Sequence, residues 1–241
     1  MENNKYILLW LEAPLQSWGA DSKFGRRDTL PFPTRSGVLG IVLCSLGASG
    51  EQKELLARMG PPLRQTVISC INTKETKTGS EKIERDPLLM DFQMVGSGYD
   101  DKDVWEKMHI PKTNEGKPAV GGGTKMTYRY YLQNAAFAVL METPPDLAES
   151  FASALQNPVY DLYLGRKNCV PTEFIYQGTF DSESDAESQA ALLMQGKNLV
   201  EDFRVLDGEH DGNTMMTLND VPVQFGTVKK YRDRRVTVVQ S

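Results

Sequence analysis

Tyr6-Ile7-Leu8-Leu9-Trp10-Leu11 is a short, unbroken run of apolar, β-prone residues, the pattern of a strand buried in a sheet. Ala13-Pro14 ends it, and Pro14–Pro33 carries no sustained period, which reads as a structured loop. Beyond the loop, Thr34 or Ser36 can cap a helix whose apolar positions Val38, Leu39, Val42, Leu43 and Leu46 recur at helical spacing. Gly47 and Ala48-Ser49-Gly50 stop that helix, and a second short one spans Glu51–Met59 up to Gly60-Pro61-Pro62. Arg64–Asn72 alternates, with Val67, Ser69 and Ile71 on one face, as a half-buried strand does. Tyr128–Met141 is again strand-like. Pro144–Gln156 reads as an amphipathic helix through Leu147, Phe151, Ala154 and Leu155, and Phe174–Phe180 as a further strand.

The order through residue 180 is therefore strand, helix, strand, insertion, strand, helix, strand. That is the β-α-β-β-α-β series of a ferredoxin-like or RRM-type α+β sandwich. The insertion, Thr73–Thr127, mixes lysines, threonines and acids with Gly79, Gly96, Gly98, Gly116 and Gly121-Gly122-Gly123. Some 55 residues far exceed the usual loop length of about 4–6, so the segment reads as an inserted element, an extended hairpin or excursion. An acidic helix over Ser182–Gln195, carrying Ala186, Ala190, Leu193 and Met194, opens the rest of the chain. Strands over Leu199–Leu206, Thr214–Leu218 and Arg234–Val239 complete it, so residues 181–241 read as an appended C-terminal subdomain.

The chain has 241 residues, 40% of them hydrophobic, enough for a packed core and against wholesale disorder. No apolar run approaches the roughly 20 residues of a membrane span. The N-terminal Met-Glu-Asn-Asn-Lys leads into no signal-peptide pattern. Cys44, Cys70 and Cys169 are odd in number and far apart, so neither a disulfide framework nor a zinc site is expected. The reading is a cytoplasmic protein with no membrane partner. The net charge of −5 is uneven: residues 181–220 hold ten acids against two bases, a net −8, which leaves +3 for the remainder. Basic clusters stand at Lys23–Arg27, Arg166–Lys167 and Lys229–Arg235. Phosphate binding follows the local field, so the overall acidity does not exclude a nucleic acid.

Three segments could carry binding chemistry. Pro33-Thr34-Arg35-Ser36-Gly37-Val38-Leu39-Gly40 places two hydroxyls, an Arg and two glycines at a helix start, either a phosphate seat or an ordinary N-cap with glycines for packing. Tyr163-Leu164-Gly165-Arg166-Lys167-Asn168 puts two cations and a stacking Tyr at a turn, able to follow a nucleic-acid backbone or simply to face solvent. Pro14-Leu15-Gln16-Ser17-Trp18-Gly19 offers an amide, a hydroxyl and a Trp that could stack on a base or plug the core. Catalytic patterns are thin. His109 and His210 are the two histidines and sit in no metal-binding spacing. Lys107-Met108-His109, with Lys112 and Tyr128 or Tyr130, could supply acid and base for metal-independent RNA cleavage, or merely decorate the insertion.

Taken together these segments resemble one family. Leu8–Leu11 with Ala13–Gly19, then Phe32–Gly40, then Thr124, Arg129, Tyr131-Leu132 and Ala135–Val139, then Tyr163–Cys169 are similar, in order and spacing, to the CasD (Cas "five") subunits of type I-E Cascade, members of the RAMP superfamily. The resemblance implies a ferredoxin-like body with a long β-hairpin thumb in the place of the insertion at about 73–127. It also implies a non-catalytic subunit that grips the 5′ handle of the CRISPR RNA and caps the backbone filament. Its partners would be that RNA, the backbone RAMP subunit and the large subunit, with target DNA met through the complex. No cofactor or metal is implied. The motifs carry an RNA-binding role onto Gln16, Ser17, Trp18, Thr34, Arg35, Ser36, Gly37, Gly165, Arg166 and Lys167. The local chemistry adds Arg26, Arg27 and Tyr163, and the thumb adds Lys107, His109, Lys112, Lys125 and Arg129. A type I-C relative cuts precursor RNA, which makes a metal-independent endoribonuclease the alternative.

Overall fold

The computed structural model describes residues 3–20, 22, 25–77, 79–95, 104–109, 112–117, 125–210 and 214–241, apart from the side chains of Val95, Glu106, Lys107 and His109. Lys23 and Thr124 lie outside the described residues. The elements run β1 (Lys5–Gln16), β2 (Trp18–Gly19), β3 (Arg26–Arg27), β4 (Thr29–Leu30), α1 (Arg35–Ser45) and α2 (Lys53–Arg58). Then come β5 (Gln65–Thr76), β6 (Gly79–Lys82), β7 (Leu89–Val95), α3 (Val104–His109) and β8 (Lys125–Thr143). The chain continues through α4 (Pro145–Gln156), β9 (Tyr176–Phe180), α5 (Glu183–Gly196), β10 (Leu199–Asp207), β11 (Thr214–Gln224) and β12 (Lys230–Gln240).

One sheet dominates, with strands in the order β11-β12-β10-β5-β8-β1-β9 and every neighbouring pair on that path antiparallel. Its middle is apolar on both faces, which explains the unbroken run in β1. Ile7, Leu9 and Leu11 face one side with Val67, Phe137, Val139 and Met141, covered by α1 and α4. Leu8 and Trp10 face the other with Ile68, Ala138 and Leu140, covered by Ala186, Ala190 and Met194 of α5. A strand covered on both faces needs apolar side chains at consecutive positions. Each buried Leu or Ile in it contributes roughly 1.5–3 kcal/mol relative to exposure.

The last sixty residues share this sheet. β10 pairs with β5, Val205 opposite Val67 and Arg204 opposite Ile68, so the boundary drawn at residue 180 falls inside a continuous sheet and a shared core. Charge ties the same elements together. Arg35 at the start of α1 is buried, its guanidinium 3.2 Å from Asp207 of β10 and donating to the Met59 and Leu63 carbonyls at 2.9 and 2.6 Å. Arg234 of β12 binds Asp207 and spans both oxygens of Asp220 at 2.7 and 2.9 Å. Burial lowers the pKa of Arg35, with Asp207 offsetting part of that effect. The same burial acts on Arg234, but its hydrogen bonds and charge pairing with Asp220 prevail and its pKa is raised.

The insertion is built from strands of the sheet that run on past the body. β5 folds back onto β6, and β7 lies along the first part of β8 from Leu89↔Tyr131 to Val95↔Lys125. One face of the β7–β8 hairpin carries Met90, Phe92 and Met94 opposite Tyr130, Tyr128 and Met126. Phe92 and Tyr128 pack at a tilt with ring centroids 5.3 Å apart, yet Met94 is 62% and Met126 56% exposed. No described helix is long and apolar enough to cross a membrane.

Candidate nucleic-acid interface

The three motif segments, remote in sequence, meet at one end of the sheet. At the end of β1 the Gln16 amide is buried, donating to the Leu11 and Ala135 carbonyls at 3.1 and 2.6 Å and accepting from the Trp18 indole N–H at 3.0 Å. Trp18 lies against α1, where a Cβ added at Gly37 would come 2.8 Å from its ring. Gly165 has φ +95°, and a Cβ there would collide with the Ser17 carbonyl, so only glycine brings this turn down onto the β1 end. The Ser17 N–H donates to the Leu164 carbonyl at 3.1 Å, and Arg166 donates to the Tyr130 and Arg27 carbonyls at 3.3 and 2.9 Å over the Tyr131 ring.

Between these segments lies a cleft of about 640 Å³, walled by Ser17, Trp18, Thr34, Ser36, Gly37 and Gly40 on one side and by Tyr163, Gly165 and Arg166 on another. Tyr160, Phe225, Lys229 and Tyr231 complete the wall, with Arg27 and Asp28 at its edge. Over the Gly165 ridge a second hollow of about 480 Å³ is lined by Gln93, Arg129, Tyr163, Arg166, Lys167 and Asn168. It leads from the cleft to the β7–β8 hairpin. Among the described residues, Arg27, Lys167, Arg129 and Lys229 have no ion-pair partner. Cations without an ion-pair partner, aromatic rings and accessible backbone along one path suit a single-stranded nucleic acid, whose phosphates and splayed bases need those partners. Among the described residues, no group of three His, Cys, Asp or Glu side chains comes together as a metal set.

Residues 6–237 match the family model described as "CRISPR-associated protein (Cas_Cas5)". The chain belongs to the Cas5 family. A protein of Escherichia coli K12, "CRISPR system Cascade subunit CasD", is 28% identical over 191 residues, covering 78% of this chain and 75% of that protein. A solved structure described as "CRISPR RNA-guided surveillance complex" contains a chain that superposes with a TM-score of 0.69 at 27% identity. The match covers 98% of this chain and 90% of that one.

In this Cas5 chain the expected site residues divide. Ser17, Thr34, Ser36, Tyr163, Gly165, Arg166 and Arg27 line the cleft, and Lys167 and Arg129 line the hollow beyond it. Arg35 does not line the cleft: its guanidinium is buried and donates to Asp207 and to the Met59 and Leu63 carbonyls. At the start of α1 the Asp220 carboxylate accepts the Arg35 backbone N–H at 2.8 Å and the Thr34 hydroxyl caps Gly37 at 3.2 Å, the N-cap arrangement of the two readings. Gln16 and Trp18 are buried scaffolding, the indole offering the cleft only part of its surface. Arg26 is exposed, paired with Asp28 at 2.8 Å, which raises its pKa, and lies over the Tyr130 ring. Lys125 sits in the hairpin ladder and Lys112 is exposed. Lys107 and His109 fall in α3 with side chains outside the described set. The sequence reading missed Tyr160, Phe225, Lys229 and Tyr231; the Lys229–Arg235 cluster was visible, but nothing local tied it to the other motifs.

Proposed function

We propose that this Cas5 chain is a non-catalytic subunit of a type I-E Cascade surveillance complex that grips the 5′ handle of the CRISPR RNA. The observation that carries the reading is the convergence of three distant motif segments on one cleft, continued by Lys167 and Arg129 toward the hairpin. Phosphates would meet Arg27, Lys167 and Arg129, while splayed bases meet Tyr160 and Tyr163. The exposed apolar face of the β7–β8 hairpin, Met90, Phe92 and Met94 with Met126 and Tyr128, is the thumb we assign to the adjacent backbone subunit, with the large subunit at the handle end. We read β9-β1-β8-β5 with α1 and α4 as the ferredoxin-like body. The work is antiviral defence in the cytoplasm, reaching target DNA through the assembled complex.

The test is incubation of the purified chain with labelled CRISPR repeat RNA in EDTA, followed by gel mobility and product size. Retarded, intact RNA whose binding weakens in Arg27→Ala and Lys167→Ala supports the reading. A discrete product that disappears in His109→Ala overturns it in favour of the processing endoribonuclease.

A further inference from the structure

We propose that the turn of the C-terminal hairpin, Phe225–Tyr231, is a second lip of the RNA cleft, placing Lys229 on a phosphate and the Phe225–Tyr231 pair against one lodged base. The proposal rests on the handle-binding reading and goes beyond it, since none of the three residues belongs to a motif that carried the family resemblance.

The lip is built firmly. The Phe225 N–H donates to the Glu51 carbonyl at 3.0 Å, and the Gln224 amide bridges the Glu51 carboxylate at 3.0 Å and the Val228 carbonyl at 2.9 Å. Gly226, at φ +79°, passes so close to Gly50 that an added Cβ would lie 3.3 Å from its backbone. Phe225 and Tyr231 meet edge to face with centroids 6.4 Å apart, which fixes both rings and leaves surface of each on the cleft. A rigid aromatic pair loses little entropy when a base stacks on it. Lys229, exposed at the rim, has no ion-pair partner among the described residues.

The floor points the same way. Gly40 lies inside α1 and lines the cleft, yet an added Cβ would meet nothing within 4 Å. Packing does not require a glycine there, and a helix-interior glycine is unfavourable. What the missing side chain provides is open floor for a flat ring.

The experiment uses the intact chain and the same repeat RNA carrying 4-thiouridine, with salt titrations of Lys229→Glu, Tyr231→Ala and Tyr231→Phe. Lys229→Glu should weaken binding about tenfold and flatten the log–log salt slope by about one. Tyr231→Ala should cost about tenfold and Tyr231→Phe little, because the ring and not the hydroxyl is used. Photo-crosslinks should map to residues 225–231. Crosslinks confined to the Tyr163–Lys167 side, with Lys229→Glu unchanged and Lys167→Ala weakened, would sink the lip and leave handle binding standing. Unchanged binding in Lys229→Glu and Tyr231→Ala would likewise remove the lip alone, and no binding by the native chain would remove both.

Discussion

Arg35 and Lys167 carry the same charge in motifs that look alike, and the fold uses them oppositely. Arg35 is 4% exposed and spends its donors on Asp207 and two carbonyls, whereas Lys167 stands at the rim of the hollow. Arg35→Ala should therefore cost about 3 kcal/mol of stability in urea unfolding, since it strands buried acceptors, while RNA affinity per folded molecule stays level. Gly40→Ala should act with the reverse sign, raising stability by about 0.5–1 kcal/mol; Gly40→Leu should fill the floor and weaken RNA binding in the same gel assay. Burial pushes the Cys70 thiol up to about 12. At pH 8.5 it stays protonated in the native state, so alkylation by iodoacetamide should be far slower than in urea, where an ordinary thiol is exposed and a substantial fraction is thiolate.

At the scale of elements, the body was legible because periodicity reports burial, and the insertion was harder because its strands leave the body. Met90, Phe92 and Met94 do alternate with Asp91 and Gln93, but a short ladder flanked by glycines gives a weak signal, and β8 begins only at Lys125. The cleft was partly legible for a related reason. Gly37 and Gly165 mark tight approaches, yet identity alone cannot tell an arginine that faces inward from one that faces outward. The hairpin prediction belongs here. Met90→Ser with Phe92→Ser and Met94→Ser should leave the melting temperature of the isolated chain nearly unchanged, as exposed sites do. Co-purification with the backbone subunit should fall; undiminished capture would place that contact elsewhere.

Across the whole molecule, the acidic stretch 181–220 turns out to be partly internal. Asp207 and Asp220 hold Arg35 and Arg234, and Phe203, Val205 and Leu218 are buried. No local pattern could show this, because the partners lie far apart along the chain. A fragment ending at residue 180 should then fail to unfold cooperatively on heating, since it loses α5, β10 and both carboxylates; a sharp calorimetric transition would show instead that it stands alone. α5 has one more consequence. Sheets of this kind that bind RNA often offer a bare face as a platform for bases, and here Ala186, Ala190 and Met194 roof that face over Trp10 and Leu8. With that face covered, any strand this protein holds would meet the end of the sheet, at the cleft between its lips, and not the broad face of the strands.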